Sequence, residues 1–233
     1  PATVSGTSER WKRILGYDVE NFLEAAAWYR RLDDQASVDF VLQAALKEIP
    51  ASSTSALLHY YLASAARKEG KSDVAQKHAE QASATPYVKV FPHRLEDGIV
   101  LDEAIRENPT DAHAHYYLGN FLFSRGRYDD AARMWMQALG LGFEYWVLYR
   151  NLGVHAWHVK KNLQDAAGFF EKAVELAPDE YRLYVDLDEI YAQLGDTARR
   201  EKLFAKAPAV VLARDTVRVR RTLLLVEQKR YQE

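Results

Sequence analysis

No cysteine occurs among the 233 residues. That absence removes disulfides, thiolate metal ligands and cysteine nucleophiles together. It leaves the compartment open, because chains on either side of a membrane do without cysteine. A basic surplus is missing too: 31 Lys and Arg stand against 33 Asp and Glu, a formal net charge of -2. Phosphate backbones are held by positive charge gathered on one face, so nucleic acid is not an expected partner. No apolar run approaches the roughly 20 residues of a membrane-spanning helix, so no membrane is expected either. The opening residues show no secretory pattern. The chain starts at Pro1 without a Met, which leaves room for a segment upstream. These absences favour the cytoplasm without fixing it. There is no phosphate-cradling glycine loop, no nucleophile elbow and no evident Ser/His/Asp arrangement. The reading is of a non-enzyme without cofactors.

What is present is helical periodicity. Ala and aromatic residues recur at helical spacing almost throughout, and strand-like alternation is scarce. The string HYYL occurs twice, at His59–Leu62 and His115–Leu118, each followed eight residues later by a Gly, Gly70 and Gly126. After the second copy come Gly119, Tyr128, Ala131, Trp135 and Ala138. A shift of 34 gives Leu152 and Gly153, and a shift of 35 gives Ala166, Phe170 and Ala173, closed by Pro178. The extra residue is expected in the turn Val159 to Asn162. A third unit shows Tyr181, Leu187, Gly195, Phe204 and Ala207. Small residues at 119, 131 and 138 let helix backbones approach, and large ones at 118, 122 and 135 fill the spaces between them. Gly126 and Gly195 would end first helices where a positive φ is needed.

This pattern resembles the tetratricopeptide repeat, a helix-turn-helix unit of about 34 residues. The match runs from His113 to Ala207, with His115, Leu122 and Phe143 departing from the pattern's Trp, Tyr and Pro. The fold it implies is an all-α solenoid of such repeats, a right-handed superhelix whose first helices line the concave face. The expected organisation is degenerate repeats over 1–85, an extended linker with an orphan helix over 86–108, three repeats over 109–207 and an incomplete terminal repeat over 208–233. Pro86 to Pro92 is expected to be extended, because each Pro restricts the residue before it. The orphan helix, Arg94–Glu107, has no evident first-helix partner. A helix near Ser8–Leu15 opens the reading. Another near Thr216–Glu227 closes it with an apolar side, Leu223 to Val226, that lacks its usual cover. Self-association or crystal pairing through that end, or local fraying of it, is therefore expected.

The segment with Phe91, Pro92, Arg94 and Leu95, then NPTDAHAHYYLGN, is similar to the C-terminal repeat region of large bacterial proteins with β-rich, mutarotase-like domains. That likeness implies an alternative role, as a structural C-terminal segment of a larger carbohydrate-processing protein.

His155 and His158 are three apart and His113 and His115 two apart, but a zinc site needs three or four ligands, so no metal is expected. The carboxylate pairs Asp129/Asp130 and Asp179/Glu180 fall at helix starts, where they complement the dipole. Asp186/Asp188 falls mid-helix, with no announced pocket. Tyr116, Asn120, Phe123, Arg150, Val154, Trp157, Arg182 and Glu189 fall on the first-helix side of three consecutive units. They form the candidate groove for a protein segment or a neighbouring domain of the same parent chain. In chaperone-binding members of the family a Lys, two Asn, a Lys and an Arg clamp a terminal carboxylate. The corresponding positions hold Tyr116, Asn120, Asn151, Arg182 and Asp186. The acid at 186 would repel a carboxylate, which argues against chaperone tails.

Overall fold

The computed structural model describes residues 14–16, 18–50, 54–85 and 90–228, and every regular element among them is helical. Helices α1 (Val19–Arg31) and α2 (Gln35–Glu48) form one hairpin, and α3 (Ala56–Lys68) and α4 (Ser72–Ala84) a second. A single helix, α5 (Leu95–Glu107), precedes the hairpin of α6 (Ala112–Ser124) and α7 (Tyr128–Gly140). Then follow α8 (Trp146–Val154), which continues as a π-helical turn over His155–Val159, and its partner α9 (Leu163–Leu176). The chain closes with α10 (Tyr181–Gln193), α11 (Thr197–Lys206), the short α12 (Ala209–Leu212) and α13 (Asp215–Glu227). It divides into two compact units, Pro1–Gly142 and Phe143–Glu233. That division falls inside the 109–207 span, which the repeat pattern reads as continuous.

Local chemistry explains the helix ends. Asp34, Asp111, Asn162 and Asp196 cap α2, α6, α9 and α11 through backbone N–H groups at 2.9–3.1 Å. Each satisfies a donor that the first turn would otherwise leave bare. Gly70, Gly126 and Gly195 adopt φ of 75°, 76° and 69° just past α3, α6 and α10, a conformation that costs glycine little. Within the hairpins, a Cβ on Gly119 would lie 2.4 Å from the Trp135 indole nitrogen, and one on Gly153 would lie 2.6 Å from the Phe170 ring. The Leu-Gly pair of the repeat is thus the contact point between first and second helix.

All eight HYYL residues are buried. The two copies also meet: the rings of Tyr60 and Tyr117 lie edge to face at 6.3 Å. The Tyr60 hydroxyl donates to both carboxylate oxygens of Asp111, at 3.0 and 3.2 Å, so the cap of α6 is fixed by the first copy.

Three expectations need adjusting. The extra residue of the fourth hairpin is not absorbed in the turn alone. The end of α8 widens into the π-helical turn 155–159, and Lys161 takes a φ of 56°. A π-turn holds one more residue per turn, so a one-residue insertion is accommodated without breaking the helix. The helix at 95–107 does have first-helix neighbours, since it packs on α3 and α6. Of Leu223 to Val226, Leu224 is covered at 3% exposure while Leu223 and Val226 stay open. The Ser8–Leu15 expectation lies largely outside the described residues, as does most of Pro86 to Pro92; Val90 to Pro92 have no regular structure.

Candidate functional site

In the first unit, α5 lies along helices that open hairpins. Arg94 is 6% exposed and sends its guanidinium to the Glu24 carboxylate at 2.8 Å, the Glu20 carboxylate at 2.7 Å and the Glu20 carbonyl at 3.1 Å. Asp97, fully buried, accepts from the backbone N–H of His93 and Arg94 and from the Tyr61 hydroxyl at 2.8 Å. Arg31 grips Glu96 in a two-point pair at 2.6 and 2.8 Å, holding the Glu96 carboxyl below its usual range. Arg30 reaches Ser64 at 2.7 Å and Glu103 at 2.8 Å. These pairs tie α5 to α1 and α3 at once. Sequence reasoning missed them, because their partners lie between 34 and 74 positions apart.

Three of the expected groove residues, Tyr116, Asn120 and Phe123, sit on α6 in this unit. Tyr116 is only 4% exposed, so it offers a partner almost no surface. Asn120 accepts from the Trp135 indole N–H at 3.1 Å, and the Phe123 ring packs on Tyr128 and Trp135 at 4.9 and 5.4 Å. Asn120 and Phe123 are half-buried and join α6 to α7.

The other five lie in the second unit. Arg150 and Val154 are half-buried on α8, and Trp157 is half-buried in the π-turn. Trp157 donates from its indole N–H to Gln193 at 3.1 Å, stacks on His158 at 4.4 Å and meets Phe170 edge-on at 6.4 Å. Gln193 in turn donates to Glu189 at 3.0 Å, and Glu189 accepts from Arg220 at 2.8 Å. Trp157 and Glu189 are thereby joined through one amide. Arg150 stands 4.0 Å from Asp186, whose carboxyl is raised by burial although Arg150, Arg220 and His158 pull it back. Arg182 is exposed, its guanidinium 5.6 Å over the Tyr181 ring rather than beside Arg150.

Behind this surface lies a buried ionic knot. Asp188 is fully buried and accepts from Arg200 at 2.7 Å and Arg220 at 3.1 Å; Arg200 also reaches Glu227 at 2.7 Å. It holds α13 against α10 and α11. In the sequence Asp188 reads as half of the pair Asp186/Asp188, and Arg220 lies 32 positions away. Helical spacing alone could not show that they face each other. Among the described residues no group of three or more His, Cys, Asp or Glu is placed to hold a metal ion, and no helix is long and apolar enough to cross a membrane.

Comparison with known proteins fits this architecture. Residues 94–142 match the tetratricopeptide repeat family model. The Hsp70-Hsp90 organizing protein of Triticum aestivum is 34% identical over 92 residues, which are 40% of this chain and 16% of that protein. The chain therefore spans a small part of that relative's length. YrrB, described as a tetratricopeptide-repeat protein with an unusual peptide-binding site, superposes with a TM-score of 0.50 at 18% identity over 82% of this chain and 85% of its own. MamA from Desulfovibrio magneticus RS-1, residues 41 to the end, gives 0.46 at 16% identity over 86% and 99%. The chain shares its all-helical repeat fold with solved tetratricopeptide-repeat structures, and residues 94–142 carry that family's sequence signature.

Proposed function

We propose that the chain is a non-catalytic scaffold that holds a segment of another protein, or of a neighbouring domain of its own parent, against its first helices. One observation carries the reading: the second unit presents a half-exposed Trp157, fixed by Gln193, with Arg150 on the same helical stretch and Arg182 exposed on the next first helix. Trp and Arg dominate binding energy when an interface buries them. A guanidinium grips a carboxylate through parallel hydrogen bonds, so the preferred segment carries an acidic residue. The Triticum relative organises chaperones by its name, and YrrB binds peptide by its description; both support a protein ligand.

Chaperone tails remain a poor fit here. Tyr116 is buried where the clamp has its first Lys, and Asp186 supplies a carboxylate where it has its Arg. The carbohydrate-linked alternative rests on Phe91, Pro92, Arg94 and Leu95 and on the NPTDAHAHYYLGN stretch after them. Arg94 has a structural task of its own, gripping Glu20 and Glu24, and that task suffices to explain its place. We also propose that Val219, Leu223 and Val226, which are 58%, 54% and 47% exposed along one side of α13, let the chain associate with itself.

The test is capture of partners from cell extract, and of the parent's other domains, by wild-type chain and by the Arg150→Ala, Trp157→Ala double variant. Binding should weaken by about 2–4 kcal/mol, the scale of an interface hot spot, with helicity by circular dichroism unchanged. Equal recovery of every partner by both proteins would remove the first-helix face from consideration.

A further inference from the structure

Within the first unit, α5 and α7 each pack on α6, and a trough is left above it. Two hollows of about 570 and 410 Å³ share Asp102, Leu118 and Met134 in their linings, so they form one continuous depression. The floor is Leu118, Phe121 and Leu122. The rims keep apolar side chains in solvent: Leu95 is 62% exposed, Ile99 39% and Leu141 40%. Closely grouped apolar side chains left open beside a ready-made hollow mark a surface made to be covered.

The charges along the trough indicate what covers it. Its lining carries three guanidiniums, Arg106, Arg127 and Arg133, against two carboxylates, Asp102 and Asp130. Asp102 is taken by Arg106. Asp130 is shared by Arg127, at 2.6 Å, and Arg133. Among the lining residues that lip therefore sets two guanidiniums against one carboxylate, with Asp129 in the same turn of α7 outside the lining. The walls are helices whose backbone groups are already paired, so an extended peptide would find no free edge to hydrogen-bond. A ridge of side chains fits between helices in the way helices pack on one another.

We propose that this trough docks an amphipathic helix of a partner protein, with an apolar stripe seated on Leu118, Leu122 and Met134 and glutamates along its edge meeting Arg127 and Arg133. The surface is separate from the first-helix face of the second unit and stands on its own observations.

The chain's two methionines make the test direct. Met134 lines both hollows, whereas Met136, 49% exposed, lines neither. Protein with isotope-labelled methionine methyls is titrated with a helical peptide of about 16 residues bearing Leu at i, i+4, i+7 and i+11 and Glu at the stripe's edges. A second peptide has Lys in place of every Glu. The Met134 methyl should shift and the Met136 methyl should not. The Glu peptide should bind about three- to fivefold more tightly than the Lys peptide, the worth of two exposed ion pairs. The double variant Arg127→Glu, Arg133→Glu should reverse that order. A Met134 signal unmoved by the Glu peptide, equal movement of both methyls, or Lys and Glu peptides of equal affinity would each overturn the proposal. The wild-type comparison of the two peptides stands even where the charge-reversed variant folds poorly.

Discussion

In Pro1–Gly142 the helices that open the first two hairpins, α1 and α3, are each bonded to another helix of the same chain, α5, although Trp28 of α1 stays 58% exposed. In Phe143–Glu233 the corresponding helices α8 and α10 leave Trp157, Arg150 and Arg182 at least partly in solvent. The arginines differ accordingly. Arg30, Arg31 and Arg94 are matched to Glu103, Glu96 and the Glu20/Glu24 pair at 2.6–2.8 Å. Arg150 reaches only to 4.0 Å from Asp186, and Arg182 rests on a tyrosine ring. The insertion of α5 accounts for the contrast. A repeat's first helix has polar side chains to satisfy, and where the chain supplies an internal partner that surface is no longer free for an external one.

The sharpest way to break this comparison is to remove one arginine from each unit. Arg94→Ala removes the contacts to Glu20 and Glu24 and the guanidinium 3.5 Å from the buried Asp97, which keeps its bonds to the His93 and Arg94 backbone and to Tyr61, and should cost about 1.5–3 kcal/mol, the scale of hydrogen bonds to charged groups. Arg150→Ala removes a half-exposed, loosely paired group and should change stability by less than about 1 kcal/mol. Urea denaturation of both variants measures the gap. If Arg94→Ala proves as mild as Arg150→Ala, the first unit is not held by its internal partner.

A second effect sets the first unit apart through pH. His59 on α3 and His78 on α4 bring their Nδ1 atoms within 3.4 Å, with the rings stacked at 5.6 Å. Burial, reinforced by His78, holds the His59 imidazole down to about 4, and burial also lowers His78. The unfolded chain takes up these protons near pH 6.5, before the folded chain does. Stability is therefore full above that value and falls as the pH drops from 6.5 toward 4. The loss from His59 is on the order of 3 kcal/mol. Thermal melts between pH 7.5 and 4.5 should show this slope, and His59→Gln should flatten it. A slope unchanged in that variant would assign the pH dependence elsewhere.

The repeat was legible because its constraints are local. Gly119 and Gly153 are forced by rings 16 and 17 positions away, Trp135 and Phe170, so the spacing itself encodes the contact. The caps at Asp34, Asp111 and Asp196 and the glycines at 70, 126 and 195 are local in the same sense. The α5 pairs were not legible, because Arg94 finds Glu20 across 74 positions and nothing in the sequence between them reports it. Nor was the state of the groove residues. The frame assigns Tyr116 and Trp157 to the same side of successive first helices, yet one is buried and the other half-open. That difference arises from packing around α6 and from the π-turn, which a periodic reading cannot register.

The mildest change is expected at the other end of the second unit, where α13 closes the chain's described part. The knot of Asp188, Arg200, Arg220 and Glu227 seats this helix and Leu224 is buried beneath it, so its position does not depend on its outer side chains. Val219, Leu223 and Val226 follow one another at helical spacing on that outer side. Leu223 and Val226 are each about half in solvent, and replacing both with Lys should alter stability by no more than about 0.5 kcal/mol. The same change should abolish association of the chain with itself, because the stripe's burial against a second copy is what would drive it, at roughly 25 cal/mol per Å² of apolar area covered. Light scattering across a concentration series compares wild type with the Leu223→Lys, Val226→Lys variant. A wild-type chain that stays monomeric at the highest concentrations would leave the stripe without that role. An associated chain that ignores both lysines would move the contact to another surface. A large loss of stability in the variant would mean that these side chains serve the fold of the second unit after all.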